Sequence, residues 1–244
     1  GVSIVLGVVP RAEAGVPRPA LVRAVLWRAA KIMGLGIALH LLAFWLLDRP
    51  AFRPWGVLQR IGLCFAIVGV AVLYLRPRAQ WAGIVALLAG YWALMAPWGY
   101  APFTNLAARV DTMLFGPWLY QWDAALGRGQ DPEGLLSTLP AIATTLLGVR
   151  IATWLRAGAI SMIVWTGVGM ILLGLAWSLV FPLNKALWTS SYVLVTAGCA
   201  TLALIVAHVL VDRRGWPAIG RRFGVNAIAA YVGAAVMTYV LLGV

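Results

Sequence analysis

Charged residues are scarce in this sequence, and acidic ones are the scarcest. Only 11% of the 244 residues are charged, and only seven residues are Asp or Glu, whereas an ordinary globular domain carries roughly 25% charged residues. A water-soluble domain of this length needs far more polar surface to cover its core. The composition therefore excludes a soluble globular protein.

Cysteine and histidine are also rare, with two residues of each. Cys64 and Cys199 lie in apolar runs and form no CxxC pair, so neither a disulfide framework nor a zinc site is predicted. For His40 and His208, the pattern favours structural hydrogen bonds between helices over catalysis. The sequence contains no glycine-rich phosphate loop, no nucleophile elbow and no metal-binding spacing. We therefore expect no metal cofactor.

Apolar segments, by contrast, recur along the whole chain, which is 63% hydrophobic. Most of them approach the ~20 residues that a helix needs to cross the hydrocarbon layer, where a helix satisfies its own backbone polar groups. They predict an all-α, polytopic membrane bundle with seven full spans. The predicted spans are 29–47, 58–75, 81–96, 134–149, 157–178, 188–211 and 225–243.

Residues 1–9 form an apolar run that is too short to span a membrane. This run is interpreted as a truncated first helix. The whole chain, residues 1–244, is therefore expected to be a single transmembrane domain that lacks its N-terminal helix or helices.

The 19 basic residues are distributed unequally between the two sides of this layout. Most lie on the side of loop 10–28, and most of the acids lie on the other side. The positive-inside rule makes the basic side cytoplasmic. Although the net charge is +12, its scatter over short loops excludes a nucleic-acid surface, and the lipid bilayer is the expected partner. The one long connection, 97–132, is rich in aromatic residues and predicts an ordered cap on the outer surface.

Polar residues gather at the outer ends of the predicted spans. Ionisable residues at this depth usually face a cavity or a partner, although three structural alternatives remain. Asn184 and Lys185 could form a solvated turn. Asp131 could cap a helix, with Pro132 and Glu133 in its first turn, and Arg60 could form a structural ion pair with an outer carboxylate. The polar segments are 56–62, the region of Asp111, 131–138 and 181–192.

These segments resemble those of one family. The heparan-α-glucosaminide N-acetyltransferase-like transmembrane acyltransferases, with the bacterial N-acetylglucosamine-related membrane proteins, carry similar segments in the same order. The resemblance covers essentially the whole chain. Its segments here are GVLQRIG (56–62), DPEG (131–134), PLNKALW (182–188) with Ser191 and Tyr192, and GVNAI (224–228) with Tyr231.

The resemblance implies acetyl transfer across a membrane. Cytosolic acetyl-CoA would serve as co-substrate, and the amino group of a glucosamine-type sugar on the periplasmic side would receive the acetyl group. The family's catalytic histidine lies in an outer loop that precedes Gly1, and neither His40 nor His208 matches its position. We therefore expect the full-length protein, but not this chain alone, to be an enzyme.

Several residues take expected roles from this resemblance. Asp111 and Glu133 would bind sugar hydroxyls or orient the histidine, and Asn184 and Lys185 would steady the thioester carbonyl. The CoA phosphates are expected at an inner-face arginine such as Arg23, Arg28, Arg150 or Arg156. The expected substrate-binding residues are Gln59, Arg60, Asp131, Trp188, Ser191 and Asn226.

Two other interpretations stay open. The same helices and polar cluster could form the path of an inner-membrane transporter for amino sugars or cell-wall sugar fragments, although no pair of interrupted helices in matching halves is visible. In the second interpretation, the protein is a non-catalytic scaffold. The expected location is a bacterial inner membrane, and a homodimer is an open option.

Overall fold

The computed structural model describes residues 1–48 and 51–243. Long helices dominate, and a small folded cap interrupts them between residues 96 and 137. Before the cap lie α1 (Val2–Gly7), α2 (Val9–Glu13), α3 (Arg18–Leu46), α4 (Val57–Tyr74) and α5 (Pro77–Met95). The cap contains α6 (Leu106–Phe115), β1 (Gln121–Asp123) and β2 (Arg128–Gln130). After it lie α7 (Thr138–Arg156), α8 (Ile160–Trp177), α9 (Ser190–Ala207), α10 (Arg221–Val225) and α11 (Ala227–Gly243).

The predicted all-α membrane bundle is confirmed. Among the described residues, six helices are long and apolar enough to cross a membrane: α3, α4, α5, α7, α8 and α9. The seventh predicted span corresponds to α11, which has 17 residues and is therefore only roughly 25 Å long. It lies at the short end of the range for a spanning helix. We call the face predicted to be non-cytoplasmic the outer face.

Two predicted segments have different bounds in the structure. The span predicted at 134–149 is the helix Thr138–Arg156, because residues 131–135 form turns and because the buried Arg150 does not end the helix. The single short helix predicted at 1–9 is two short helices that meet at Val8. In both cases the bounds of the apolar run differ from the bounds of the helix.

α7 forms the centre of the bundle. It packs against α1, α4, α5, α8 and α9, and more of it is buried than of any other candidate span. Ala143, Leu147 and Val149 on its surface are almost fully buried. α11 instead packs on α3 at one side, where Ile32 and Leu39 meet its apolar residues.

Glycines bring α8 and α9 together. A Cβ atom built on Gly198 would lie 2.6 Å from the carbonyl oxygen of Gly167, and one on Gly174 would lie 2.9 Å from the carbonyl oxygen of Ser191. No larger side chain fits between these backbones. Small residues permit close helix packing in membranes, and here they fix the segment that precedes α9 against the rest of the bundle.

The cap between α5 and α7 is folded, as its aromatic content predicted. β1 and β2 form an antiparallel hairpin in which Trp122 pairs with Gly129. The Thr112 hydroxyl of α6 donates to the Gly129 carbonyl (3.1 Å) and accepts from the Gly129 N–H (3.0 Å). These bonds join α6 to the hairpin and place both over the outer ends of the helices. The hairpin itself was not predicted, since its strands have only three residues each.

Candidate functional site at the outer face

An arginine and two carboxylates form a compact group of ion pairs at the outer face. Arg53 donates from Nε and Nη2 to the two carboxylate oxygens of Asp131 (2.9 and 2.5 Å) and from Nη2 to Glu133 (2.6 Å). The Asp131 side chain is 2% exposed, and those of Arg53 and Glu133 are 21% and 22% exposed. Such a bidentate pair is strong and geometrically specific. We call these three residues the outer ion cluster.

Neighbouring groups hold the outer ion cluster in place. The Arg53 guanidinium lies over the Tyr120 ring at 4.8 Å, and the Tyr120 N–H donates to Asp131 (3.3 Å). The Trp55 indole donates to the Glu133 carbonyl (2.6 Å). Burial opposes the positive charge of Arg53, but the hydrogen bonds and charges of both carboxylates outweigh it and raise the pKa of the guanidinium.

The possible helix-capping role of Asp131 is wrong. α7 begins at Thr138, after Ser137, and residues 131–135 form turns. Asp131 accepts the N–H of Glu133 (2.9 Å) and so stabilises a turn, while its carboxylate faces Arg53. The outer ion cluster thus ties the chain after the cap to the loop before α4.

Asp111 lies beneath this turn. Its carboxylate accepts the N–H of Leu135 (2.9 Å), and Gly134 packs so closely on it that an added Cβ atom would overlap the carboxylate. Burial raises the pKa of Asp111 to about 7, against the opposing hydrogen bond from Leu135. The side chain anchors the DPEG turn on α6 and has a proton affinity suited to exchange near neutral pH.

Arg60 enters the bundle on the first turns of α4. It donates from Nη1 to the carbonyl of Pro132 (3.0 Å) and from Nη2 to that of Ser137 (2.5 Å), and its guanidinium lies 4.6 Å from the centre of the Trp188 ring. The predicted ion pair between Arg60 and an outer carboxylate is wrong, because Asp131 and Glu133 pair with Arg53 instead. Arg60 is bound to neutral carbonyl groups.

Two cavities flank the outer ion cluster. The first, of about 360 Å³, lies between α1, α4 and α7, and it is lined by Arg60, Cys64, Glu133, Thr144, Thr145 and Trp188 among others. The second, of about 440 Å³, lies beside α3 and the cap, and its wall includes His40, Phe44, Arg53, Tyr120, Trp122 and Tyr239. The wall of the first cavity therefore carries hydroxyl groups and Arg60, and the wall of the second carries mainly aromatic rings.

The segment before α9 is held by its own polar groups. The Asn184 side chain accepts the N–H of Leu187 (3.1 Å), and the Thr189 hydroxyl accepts the N–H of Asn184 (3.0 Å). Ser191 is buried and donates to the carbonyl of Phe181 (2.5 Å). These bonds hold Trp188 in a left-handed conformation with φ 51°, which is unusual for a bulky residue, and direct its ring over Arg60. Lys185 is exposed.

The remaining predicted substrate-binding residues occupy different environments. Gln59 is 1% exposed, donates to the carbonyl of Pro54 (3.2 Å), and has a side-chain oxygen without a partner among the described residues. Gln59 therefore lies against the loop that carries Arg53, beside the outer ion cluster. Asn226 is exposed before α11, and its amide donates to the carbonyl of Arg222 (3.1 Å). The structure does not bring Asn226 to the outer cavities.

The inner-face arginines expected near CoA phosphates differ in burial. Arg150 is 7% exposed and donates to the side chain of Gln80 (3.4 Å). Arg156 pairs with Glu13 at 2.8 Å on the surface, while Arg23 and Arg28 are exposed. In the described parts of the chain, no group of three or more His, Cys, Asp or Glu is arranged to hold a metal ion.

Sequence reasoning missed Arg53. It lies in a short loop whose neighbours carry no recognisable pattern, and its partners follow about 80 residues later in the chain. The available signal was its position directly before the GVLQRIG segment, beside Pro54 and Trp55. That position does not reveal which of two nearby arginines binds the carboxylates.

The bundle and its outer site define a multi-pass integral membrane protein with a polar cavity at one face. Human heparan-alpha-glucosaminide N-acetyltransferase is 27% identical over 299 residues, covering 96% of this chain, and the mouse protein is 26% identical over 304 residues with the same coverage. No protein-family model matches the sequence. The resemblance seen in the motifs is confirmed: the chain is similar to the heparan-α-glucosaminide N-acetyltransferases over nearly its whole length. It spans 45% of the length of these two relatives.

Proposed function

We propose that the protein to which this chain belongs is a transmembrane acetyltransferase of a bacterial inner membrane. It would move the acetyl group of cytosolic acetyl-CoA to the amino group of a glucosamine-type sugar on the periplasmic side. The observation that carries the proposal is the similarity to two named N-acetyltransferases over 96% of the chain. Three of the four segments that resemble the family, GVLQRIG, DPEG and PLNKALW, also meet at one site.

The chemistry of the outer site supports acyl transfer to an amino sugar. Buried carboxylates can bind sugar hydroxyls or accept protons, and Asp111 has a pKa of about 7, which suits a proton acceptor at neutral pH. The aromatic rings of Tyr120 and Trp122 border the neighbouring cavity and offer flat apolar surfaces to a sugar ring. Donor and acceptor would thus meet near the outer ion cluster.

The inner end suits the anionic part of the donor. CoA carries phosphates, and arginine binds phosphate through several donors at once. Arg150 supports this role best, because it is buried and its Nε has no partner in the part of the chain that the structure describes. Arg23 and Arg28 lie on the exposed surface of α3.

The test uses the full-length natural protein in sealed proteoliposomes with the cytoplasmic side accessible from outside. Acetyl-CoA labelled in the acetyl group is added outside, and glucosamine is enclosed within. We expect labelled N-acetylglucosamine to accumulate inside the vesicles, and none to form without acetyl-CoA. The matched control is Arg109→Gln, which removes an exposed cap arginine and should leave the rate unchanged.

The same assay separates the enzyme from a transporter. If glucosamine or N-acetylglucosamine crosses the bilayer without an acyl donor and no label enters the sugar, the acetyltransferase proposal is refuted. Strict dependence of product on acetyl-CoA, with no movement of free sugar, supports the enzyme.

A further inference from the structure

Arg60 is a buried cation with an unused hydrogen-bond donor. The residue is 6% exposed, and its Nε has no hydrogen-bond partner among the described residues. Its other contacts are two neutral carbonyls and the face of Trp188. A buried charge that lacks an anionic partner is costly, and a buried donor without an acceptor adds to that cost. The unpaired charge and the unused Nε donor of Arg60 both lie at the wall of a cavity.

The cavity beside Arg60 has the size and lining of a site for a small acyl group. Its volume is about 360 Å³, whereas a water molecule occupies about 30 Å³ in the liquid. Thr144 and Thr145 offer hydroxyls on the α7 side, and Cys64 lies one helical turn along α4 from Arg60. Glu133 also lines the cavity, but its charge is paired with Arg53. Among the side chains on the described part of the wall, Arg60 therefore carries the unpaired charge.

An unpaired, buried arginine suits a ligand that is neutral when it binds and gains negative charge during the reaction. A thioester carbonyl is neutral when it binds and becomes an oxyanion when an amine attacks it. Donors placed in advance around a water-poor site stabilise such a charge far more than they stabilise the ground state. An arginine that stays unpaired in the resting protein has this property.

We propose that Arg60 is a catalytic residue that binds the carbonyl oxygen of the acyl donor and stabilises the oxyanion formed there. This inference rests on the proposed acetyltransferase function. It transfers to Arg60 the role that the sequence suggested for Asn184 and Lys185. The Asn184 side chain already accepts a bond within its turn, and Lys185 is exposed.

The transfer begins with attack by the amine. Its nitrogen forms a bond to the thioester carbon, and the C=O π pair moves onto the oxygen beside Arg60. When that pair returns, the C–S bond breaks and the sulfur leaves as the CoA thiolate. The nitrogen loses one proton and the thiolate gains one, so that the products are the N-acetyl sugar and CoA thiol. Arg60 stays protonated throughout.

The first test measures acetyl transfer by the full-length protein and its Arg60 variants. For Arg60→Gln we expect kcat to fall roughly 100- to 1,000-fold, as when one oxyanion donor is removed, with little change in the KM for acetyl-CoA. Arg60→Lys keeps the charge but not the planar donors, and its kcat should lie between those of the wild type and Arg60→Gln. Arg109→Gln is the control for loss of one outer arginine, and Lys185→Ala tests the competing assignment.

The second test needs no catalysis and also applies if Arg60→Gln is poorly stable. In a variant whose single cysteine is Cys64, the thiol is treated with an anionic and a cationic methanethiosulfonate of similar size. The positive charge of Arg60 should make the anionic reagent react faster, and Arg60→Gln should lower the ratio of the two rates about tenfold. Arg60→Lys should preserve the ratio.

The outcomes separate the two proposals. An active wild type with a lowered kcat in Arg60→Gln, a partial return in Arg60→Lys and a charge-dependent ratio at Cys64 supports the inference. If the wild type is active and Arg60→Gln keeps its kcat, with or without a higher KM, the role of Arg60 is overturned and the acetyltransferase proposal is unaffected. Unreactive Cys64, or a ratio that ignores Arg60, also overturns it. A wild type without acetyl transfer refutes the proposed function itself.

Discussion

The two ends of the bundle use arginine in opposite ways. At the outer end, Arg53 is largely buried and binds two carboxylates, and Arg60 is buried against carbonyls and an aromatic ring. At the inner end, Arg156 meets Glu13 on the surface, with side chains 35% and 58% exposed. Arg150 is the exception there, since it is buried beside Gln80 and pairs with no carboxylate of the described residues.

The difference shows that burial and partners, not residue type, identify the site. Exposed ion pairs contribute little to stability because water and salt screen them. A buried network is different, since removing one partner leaves an uncompensated charge in a low-dielectric region. The positive-inside rule predicts that the inner arginines orient the protein in the membrane, whereas Arg53 and Arg60 at the outer end line cavities.

The largest expected effect comes from breaking the outer ion cluster. Arg53→Gln removes the charge that compensates Asp131 and Glu133, and we expect the folded protein to lose about 3–5 kcal/mol of stability. Thermal unfolding in detergent measures this loss. The matched control is Arg156→Gln at the exposed inner pair, whose melting temperature should move much less. Equal shifts in the two variants would remove the distinction between the two ends.

A second prediction concerns pH and Asp111. Its pKa is about 7 in the folded protein, against 3.8 for an unperturbed aspartate, so the folded protein holds a proton that the unfolded chain releases between these values. The contribution of Asp111 to stability must therefore fall as pH rises from about 4 to 7 and stay constant above. The amide in Asp111→Asn cannot ionise, and the variant should lose this part of the pH dependence, which amounts to about 1.4 kcal/mol for each pH unit within that window. Parallel pH profiles of melting temperature for the two proteins would contradict the prediction.

The smallest expected effect is at the buried arginine of the inner end. Arg150→Met replaces a buried cation, which has no carboxylate partner in the part of the chain that the structure describes, with an apolar side chain of similar length. Without bound CoA, the free energy of unfolding should stay unchanged or rise by up to about 1 kcal/mol. The variant should therefore not show the loss of stability expected for Arg53→Gln in the same unfolding assay. A strong loss of stability would show that Arg150 has a structural role like that of Arg53.

Most of the fold could be predicted from the sequence, because helices in lipid must satisfy their own backbone and this requires long apolar runs. The helix Val57–Tyr74, predicted at 58–75, shows how closely such a run can match. The helix Thr138–Arg156 shows where the approach fails. Leu135 and Leu136 are apolar but lie in a turn fixed by Asp111 and Asp131, and that turn depends on contacts with distant residues.

The sequence predicted which polar segments form the candidate site, but not which arginine pairs with which carboxylate. The four polar segments were correctly expected at one face, and the structure brings them together around Arg60 and Trp188. Which arginine binds the carboxylates depends on the loop at 51–56 and the cap, and no local pattern encodes it. Asn226 lies in a segment that resembles one of the family's, yet the segments that carry the resemblance do not all lie at the same end of the bundle.

The separation of the outer ion cluster along the chain has a consequence for biosynthesis. Arg53 precedes Asp131 by 78 residues, and at about 5–20 residues per second a ribosome needs roughly 4–16 s to make that stretch. During this interval α4 and α5 have been made, while the loop that carries Arg53 has no anionic partner. The final seating of this loop must therefore await synthesis of the cap and of the turn after it, so the outer ion cluster forms only after α4 and α5 have been made.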